Sequence, residues 1–216
     1  MFRFSSKTVV DRKFKMTDLY KQMSATKEAK QDGTFIESVV LKNVLSPITL
    51  YCDPDKSIKE IYVFEITVKE RYVPETFIKE LDKSIKLHTL FCIKHEDYKL
   101  SMISYKLGTQ KGKYWQTNWE NNDDFDVPLV SNIPEMYKYI LSKFLTYPPF
   151  DSESVDEYVK RYNQLAKLDF QIGKTESAIA HETQSKKRFE YNARLKEYKN
   201  ERERLLQESL GGNLCV

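Results

Sequence analysis

Glycine is scarce in this chain, with six among 216 residues. Loops that cradle phosphates need closely spaced glycines, and the sequence contains no P-loop, no GxGxxG and no GxSxG. Those absences argue against an NTPase or a nucleotide-cofactor enzyme. Cysteine is scarcer still. Cys52, Cys92 and Cys215 are far apart and form no CxxC pair, so they read as structural thiols. An odd count suits a reducing compartment better than a disulfide framework. The three histidines, His88, His95 and His181, are scattered without Hx₃H or HxE spacing, so neither a histidine metal site nor a cofactor is expected. No window approaches the roughly 18 apolar residues of a membrane span, and "MFRFSSKTVVDRKFK" lacks an apolar signal region. A cytoplasmic protein that does not enter membranes is the expectation. A dominant sign of charge is also missing. With 35 basic and 32 acidic side chains the formal charge is +3, too balanced for a general polyanion binder.

What is present is 40% hydrophobic residues, enough for a core, beside 31% charged residues and a mean hydropathy of −0.61. The excess charge predicts a solvated helical segment next to a packed body.

Along the chain, "MTDLYKQMSATKEAKQDG" reads as one short helix capped by Thr17 or Asp18 and stopped by Gly33. "FIESVVLKNVLSP" reads as a second short helix, "ITLYCDP" as a strand closed by a turn at Asp53-Pro54-Asp55, and "IKEIYVFEITVK" as its antiparallel neighbour. "PETFIKELDKSIK" places Phe77, Ile78, Leu81 and Ile85 on one helical face behind a starting proline. "HTLFCIKHEDYKLSMISYKL" is a hairpin turning near Glu96-Asp97. "GKYWQTNWE" is a further strand, and "IPEMYKYILSKFL" a helix beyond an acidic loop.

"TYPPFDSESVD" is the clearest boundary: its two prolines disfavour helix, and Asp151 or Ser152 can cap the next one. From Val155 to Leu210 there is no proline, and only Gly173 interrupts the helical composition. Tyr158, Tyr162, Leu165, Ile172 and Ile179 suggest one seam; Phe189, Leu195, Tyr198, Leu205 and Leu206 suggest another. The fold expected is α+β: a mostly antiparallel sheet with packed helices over residues 1–146, a long-helix hairpin or coiled coil over 151–210, and a flexible tail over 211–216.

Glu65 is the residue that asks for chemistry, because it stands in the middle of the apolar run "EIYVFEITV". Restriction-endonuclease-like nucleases put an Asp at one strand end and Glu-x-Lys on the next strand, holding Mg²⁺ and activating water. Asp53 or Asp55 precedes Glu65 at a suitable interval and a helix comes after it, yet Thr67 occupies the lysine position. Lys69 lies two residues further along, displaced by roughly 6–7 Å. The structural alternative gives Glu65 a partner, a lysine of the next helix or Lys106, because an unpaired buried carboxylate costs several kcal/mol. At a sheet edge it would simply face water. The structural alternative is preferred.

Two basic segments are candidates for nucleic-acid contact. "QKGKYWQTNW" interleaves Lys113 with tryptophans that also suit a strand core. "SKKRFEYNARLKEYKNERER" contributes Lys186, Lys187 and Arg188, and carries eight basic and four acidic residues from Lys186 to Arg204. Such mixed charge also suits a solvated face with pairs such as Glu190 to Arg194.

Taken in order, "DRKFKMTDLYKQ", "EIYVFEITVK", "DKSIKLHTLF", "ISYK", "KYWQTNW" and "FEYNARLK" resemble an uncharacterised prokaryotic domain-of-unknown-function family across almost the whole chain. Members of that family are often encoded beside superfamily-two helicases and DNA methyltransferases in restriction or phage-defence loci. The resemblance carries no catalytic residue with it. It implies a helper subunit of a DNA-processing assembly, with a helicase or DNA methyltransferase as protein partner.

Two functions fit these residues. The first is a non-enzymatic accessory subunit docking through its helical arm by Phe189, Leu195, Tyr198 and Leu205, with direct DNA contact and self-association through the arm left open. The second is a divergent metal-dependent nuclease using Asp53 or Asp55, Glu65, Lys69 and Mg²⁺.

Overall fold

The computed structural model describes residues 2–106, 112–121, 125–128 and 130–207. The chain divides into two compact units, Met1–Thr146 and Tyr147–Val216. Cys215 and the tail over 211–216 lie outside the described residues, as does part of the acidic loop.

The first unit runs β1 (Phe2–Arg3), a 3₁₀ turn at Ser6–Thr8, β2 (Val9–Phe14), α1 (Met16–Gln22), α2 (Lys27–Asp32), a 3₁₀ turn at Gly33–Phe35, β3 (Ile36–Leu45), α3 (Pro47–Leu50), β4 (Ile61–Val68), α4 (Glu75–Ser84), β5 (His88–His95), β6 (Tyr98–Tyr105), β7 (Lys113–Gln116), β8 (Phe125–Asp126) and α5 (Ile133–Leu141). Six strands form one sheet in the order β2-β3-β4-β5-β6-β7. Every neighbouring pair in it is antiparallel except β4 and β5, which run parallel across the α4 crossover. β1 and β8 make a separate parallel pair. The expected α+β class with a mostly antiparallel sheet is what the chain adopts.

Several local expectations fail for identifiable reasons. The run from Ile36 to Leu45 is a ten-residue strand, not a helix. Its valines and isoleucine are stiff at χ1 and favour a pleated surface, and it packs between β2 and β4. "ITLY" is a helical turn, not a strand. Ser46 and Thr49 cap each other around Pro47, and Tyr51 ends the turn at φ 51°. The stretch before Gly33 breaks into α1 and α2, because Thr26 starts α2 by accepting the Ala29 N–H at 3.2 Å. Neither Thr17 nor Asp18 caps α1, which begins after Lys15 without a side-chain cap. Gly33 adopts φ −61°, so a left-handed stop is not its role. A Cβ there would sit 1.9 Å from the Tyr20 hydroxyl, so a larger residue would have to displace the Tyr20 side chain.

α2 and α4 terminate each other. α4 has no cap of its own, Pro74 standing in that place. Asp32 from the end of α2 accepts the Thr76 and Phe77 N–H groups at 2.8 and 3.2 Å. In return Glu80 of α4 accepts the Thr26 N–H and hydroxyl at the start of α2. One sheet face buries Val39, Leu41, Phe64, Ile66, Phe91 and Ile93 against Leu19 of α1 and Phe77, Ile78 and Leu81 of α4. The opposite face meets α5 at the end carrying Ile61 and His88, where the His88 ring packs edge-on to Tyr137.

The second unit is a helical hairpin of α6 (Val155–His181) and α7 (Ser185–Gln207). Ser154, rather than Asp151 or Ser152, caps α6, in a reciprocal box with Glu157. The two helices pack against each other within the chain. Half-buried or buried positions recur at Leu165, Leu168, Ile172, Thr175 and Ile179 on α6 and at Tyr191, Leu195, Tyr198, Arg202 and Leu205 on α7. That alternating three-and-four spacing is a heptad seam. Tyr191 takes the place in the seam that apolar spacing alone assigns to Phe189. Phe189 is 77% exposed.

Candidate functional site

Glu65 lies between Val40 of β3 and Cys92 of β5, at the centre of the sheet. It shares its face with Ile61 and Val63, which are buried, and with Thr67, hydrogen-bonded to Ser38 at 3.1 Å. The Thr67 end of this face is polar. Glu65 is salt-bridged there to Lys94 of β5, so its partner is neither a lysine of α4 nor Lys106. The parallel register explains this: Cys92 is opposite Glu65, and Lys94 is the next residue of β5 on the same face.

A second lysine approaches from the other side. The β3–β4 register shifts between Leu41 and Asn43, leaving Lys42 as an extra residue. The β2–β3 register shifts between Val9 and Arg12, where Asp11 has φ 50°. Bulges of this kind re-aim side chains. Asp11 and Lys42 meet at 2.6 Å. That hydrogen bond is the main reason the Lys42 ammonium is held above its usual pKa, with the Glu65 carboxylate adding to it. Phe2, Phe4, Lys42, Glu65, Cys92 and Lys94 line a cavity of about 260 Å³. Burial, helped by Glu65, pushes the Cys92 thiol up to about 12, so it is not a thiolate nucleophile at neutral pH.

The four residues of the nuclease arrangement each have a different local engagement. Asp53 bridges to Asn132, its N–H donating to the Ser131 carbonyl. Asp55 accepts from the Ser57 N–H and hydroxyl at 2.7 and 2.6 Å, bonds that lower its pKa. Lys69, beyond the far end of β4, donates to the Thr34 carbonyl at 2.7 Å. It stands four residues from Glu65, about 13 Å along an extended chain. Among the described residues no three His, Cys, Asp or Glu side chains gather as metal ligands.

A buried polar cluster leaves no motif in the sequence. Asp82 of α4, fully buried, accepts from the Thr89 hydroxyl and from the Tyr114 hydroxyl at 2.7 Å, and lies 2.9 Å from the Lys106 ammonium. Lys106 also donates to the Ile85 and Leu87 carbonyls beyond α4, and Thr89 and Ser104 share a 2.7 Å hydrogen bond. Every buried side-chain polar atom described has a partner. The cluster therefore ties α4 to β5, β6 and β7.

The arm is the other candidate. Leu165, Leu168 and Leu205 form its apolar cluster, with Tyr147, Tyr198 and Leu206 against it. Arg161 fixes the start of α6, reaching Glu153 at 2.7 Å and the Pro148 carbonyl at 2.8 Å over the Phe150 ring. Of the four docking residues expected from sequence, Leu205 is buried in the cluster, Tyr198 packs on it, Leu195 is half-buried, and Phe189 is exposed. Phe170 of α6 joins it at 71% exposure. Lys186, Lys187 and Arg188 are exposed in the first turn of α7. Lys113 belongs to the first unit, on β7, with its ammonium 5.0 Å from the Trp115 ring centre and its pKa lowered by burial.

The family model described as "Domain of unknown function (DUF4391)" matches residues 2–201. Neither a curated protein nor a solved structure matches the chain.

Proposed function

The chain belongs to this family of unknown function (DUF4391), and from that premise we propose that it is a non-enzymatic accessory subunit of a DNA-processing assembly of the restriction or phage-defence type. It docks on a helicase or DNA methyltransferase through its helical arm. One observation carries the reading. The hairpin's own seam consumes the other large side chains of α7, yet Phe170 and Phe189 remain exposed on the arm. Large aromatic side chains of this kind are the usual anchors of protein interfaces.

The experiment compares what co-purifies with the tagged full chain and with a chain ending at Thr146, identified by mass spectrometry from the native host. A helicase or methyltransferase recovered with the full chain alone supports the arm as docking element. Equal recovery with both removes the arm from docking. The nuclease alternative is tested alongside: Mg²⁺-dependent DNA cleavage that disappears in Glu65→Ala would replace this reading.

A further inference from the structure

Charge is unevenly distributed along α7. From Lys186 to Lys196 it carries five cations and one carboxylate, Glu190; from Glu197 to Gln207 it carries three of each. The second half is engaged within the arm, Lys199 with Glu176 and Arg202 with Asp169, each at 2.7 Å. Lys186, Lys187, Arg188, Arg194 and Lys196 are exposed and form no ion pair among the described residues. The first turn holds no acidic residue, so three of these cations sit at the positive end of the helix dipole, where they oppose helix stability. A local arrangement that costs stability and pairs with nothing among the described residues directs attention to a ligand.

The exposed side chains also fall in order. Lys186, Phe189, Ala193 and Lys196 succeed one another at helical spacing, and at 100° per residue their stripe lies opposite the seam of Tyr191, Leu195 and Tyr198. It is about 15 Å long. An aromatic ring lies between two lysines, with the small Ala193 leaving open space beside it.

We propose that this stripe is a track for single-stranded nucleic acid. Phe189 stacks on an unpaired base, Lys186 and Lys196 meet phosphates on either side, and Lys187, Arg188 and Arg194 flank the path. Stacking needs a base face that a duplex keeps covered, which is why a single strand is the occupant. The inference rests on reading the arm as the working element of the chain, but it needs no protein partner.

The test is fluorescence anisotropy of the purified full chain with a labelled oligo-dT and a duplex of equal length, over a salt series. The wild type binds the single strand more tightly, with affinity falling linearly in log salt. Lys186→Gln with Lys196→Gln flattens the salt slope by about 0.7 per lost contact. Phe189→Ala weakens binding about five-fold or more at unchanged slope. All three positions are exposed, and far-UV circular dichroism confirms that each variant keeps its helices. No binding by the wild type, a preference for duplex, or indifference to both variants overturns the proposal. Because no partner is in the assay, such a failure leaves the capture of a helicase or methyltransferase to be judged separately.

Discussion

At the residue scale, the carboxylates divide by what they hold. Glu65 is one of a diagonal of charges across three strands, Lys42, Glu65 and Lys94, and it is partly open to solvent. Asp82 is different, because it is fully buried and joins a lysine and two hydroxyls. Replacing Asp82 by Ala leaves the Lys106 ammonium with its carbonyl partners but without its counter-charge, and should cost about 3–5 kcal/mol in urea unfolding. Adding Lys106→Met to that variant should recover part of the loss, since the uncompensated charge is then gone. Tyr72 offers a test with pH. Its hydroxyl donates to Asp32 at 2.6 Å, and this bond, with burial, pushes its pKa from 10.0 to about 12. A raised pKa in the folded state favours the neutral phenol, so the contribution is whole below pH 10.0 and fades as pH rises to about 12. The stability difference between wild type and Tyr72→Phe should therefore be constant up to pH 10.0 and shrink across that window. A difference that persists to its upper end would mean the bond is not what Tyr72 contributes.

At the scale of elements, α6 is long and interrupted by one glycine, Gly173, which is exposed and has open space where a Cβ would lie, its own turn of helix aside. Gly173→Ala should stabilise the arm by about 0.5–1 kcal/mol, read as a rise in the thermal midpoint of its helical signal. A fall would mean that α6 needs to bend there. The long helices, α4 and the β5–β6 hairpin were legible because their apolar periodicity runs over enough residues to choose between helix and strand. β3 was not. Its apolar positions alternate only once the bulge at Lys42 is allowed for, and the extra residue disturbs the period that marks a strand. α3 was missed for a related reason: its apolar residues suit a strand, while the Ser46–Thr49 capping box decides for a helical turn. The partner of Glu65 was hidden because Lys94 faces it only if β4 and β5 are parallel, a matter of topology. On the arm, Phe189 and Tyr191 compete for one place in the seam, and the sequence does not say which rotation of α7 wins.

At the scale of the molecule, the two units differ in what they have left over. The first uses charged and polar residues internally in the α2–α4 mutual caps, the Asp82 cluster and the Glu65 diagonal, and it exposes Ile48 of α3 and Tyr51 just after it. The second has a small apolar cluster, two exposed phenylalanines and a basic half-helix. The exposed phenylalanines, alongside cations unpaired among the described residues, support recognition by the arm, and they make partner capture the property to measure. The most direct test replaces Phe170 and Phe189 by Asp in the full tagged chain and repeats the native capture in extract treated with nuclease, so that DNA cannot bridge. The account predicts that a helicase or methyltransferase recovered with the wild type is lost with the double variant, while its circular dichroism and thermal midpoint stay unchanged. Recovery of the same partner in the same amount with both chains would contradict it.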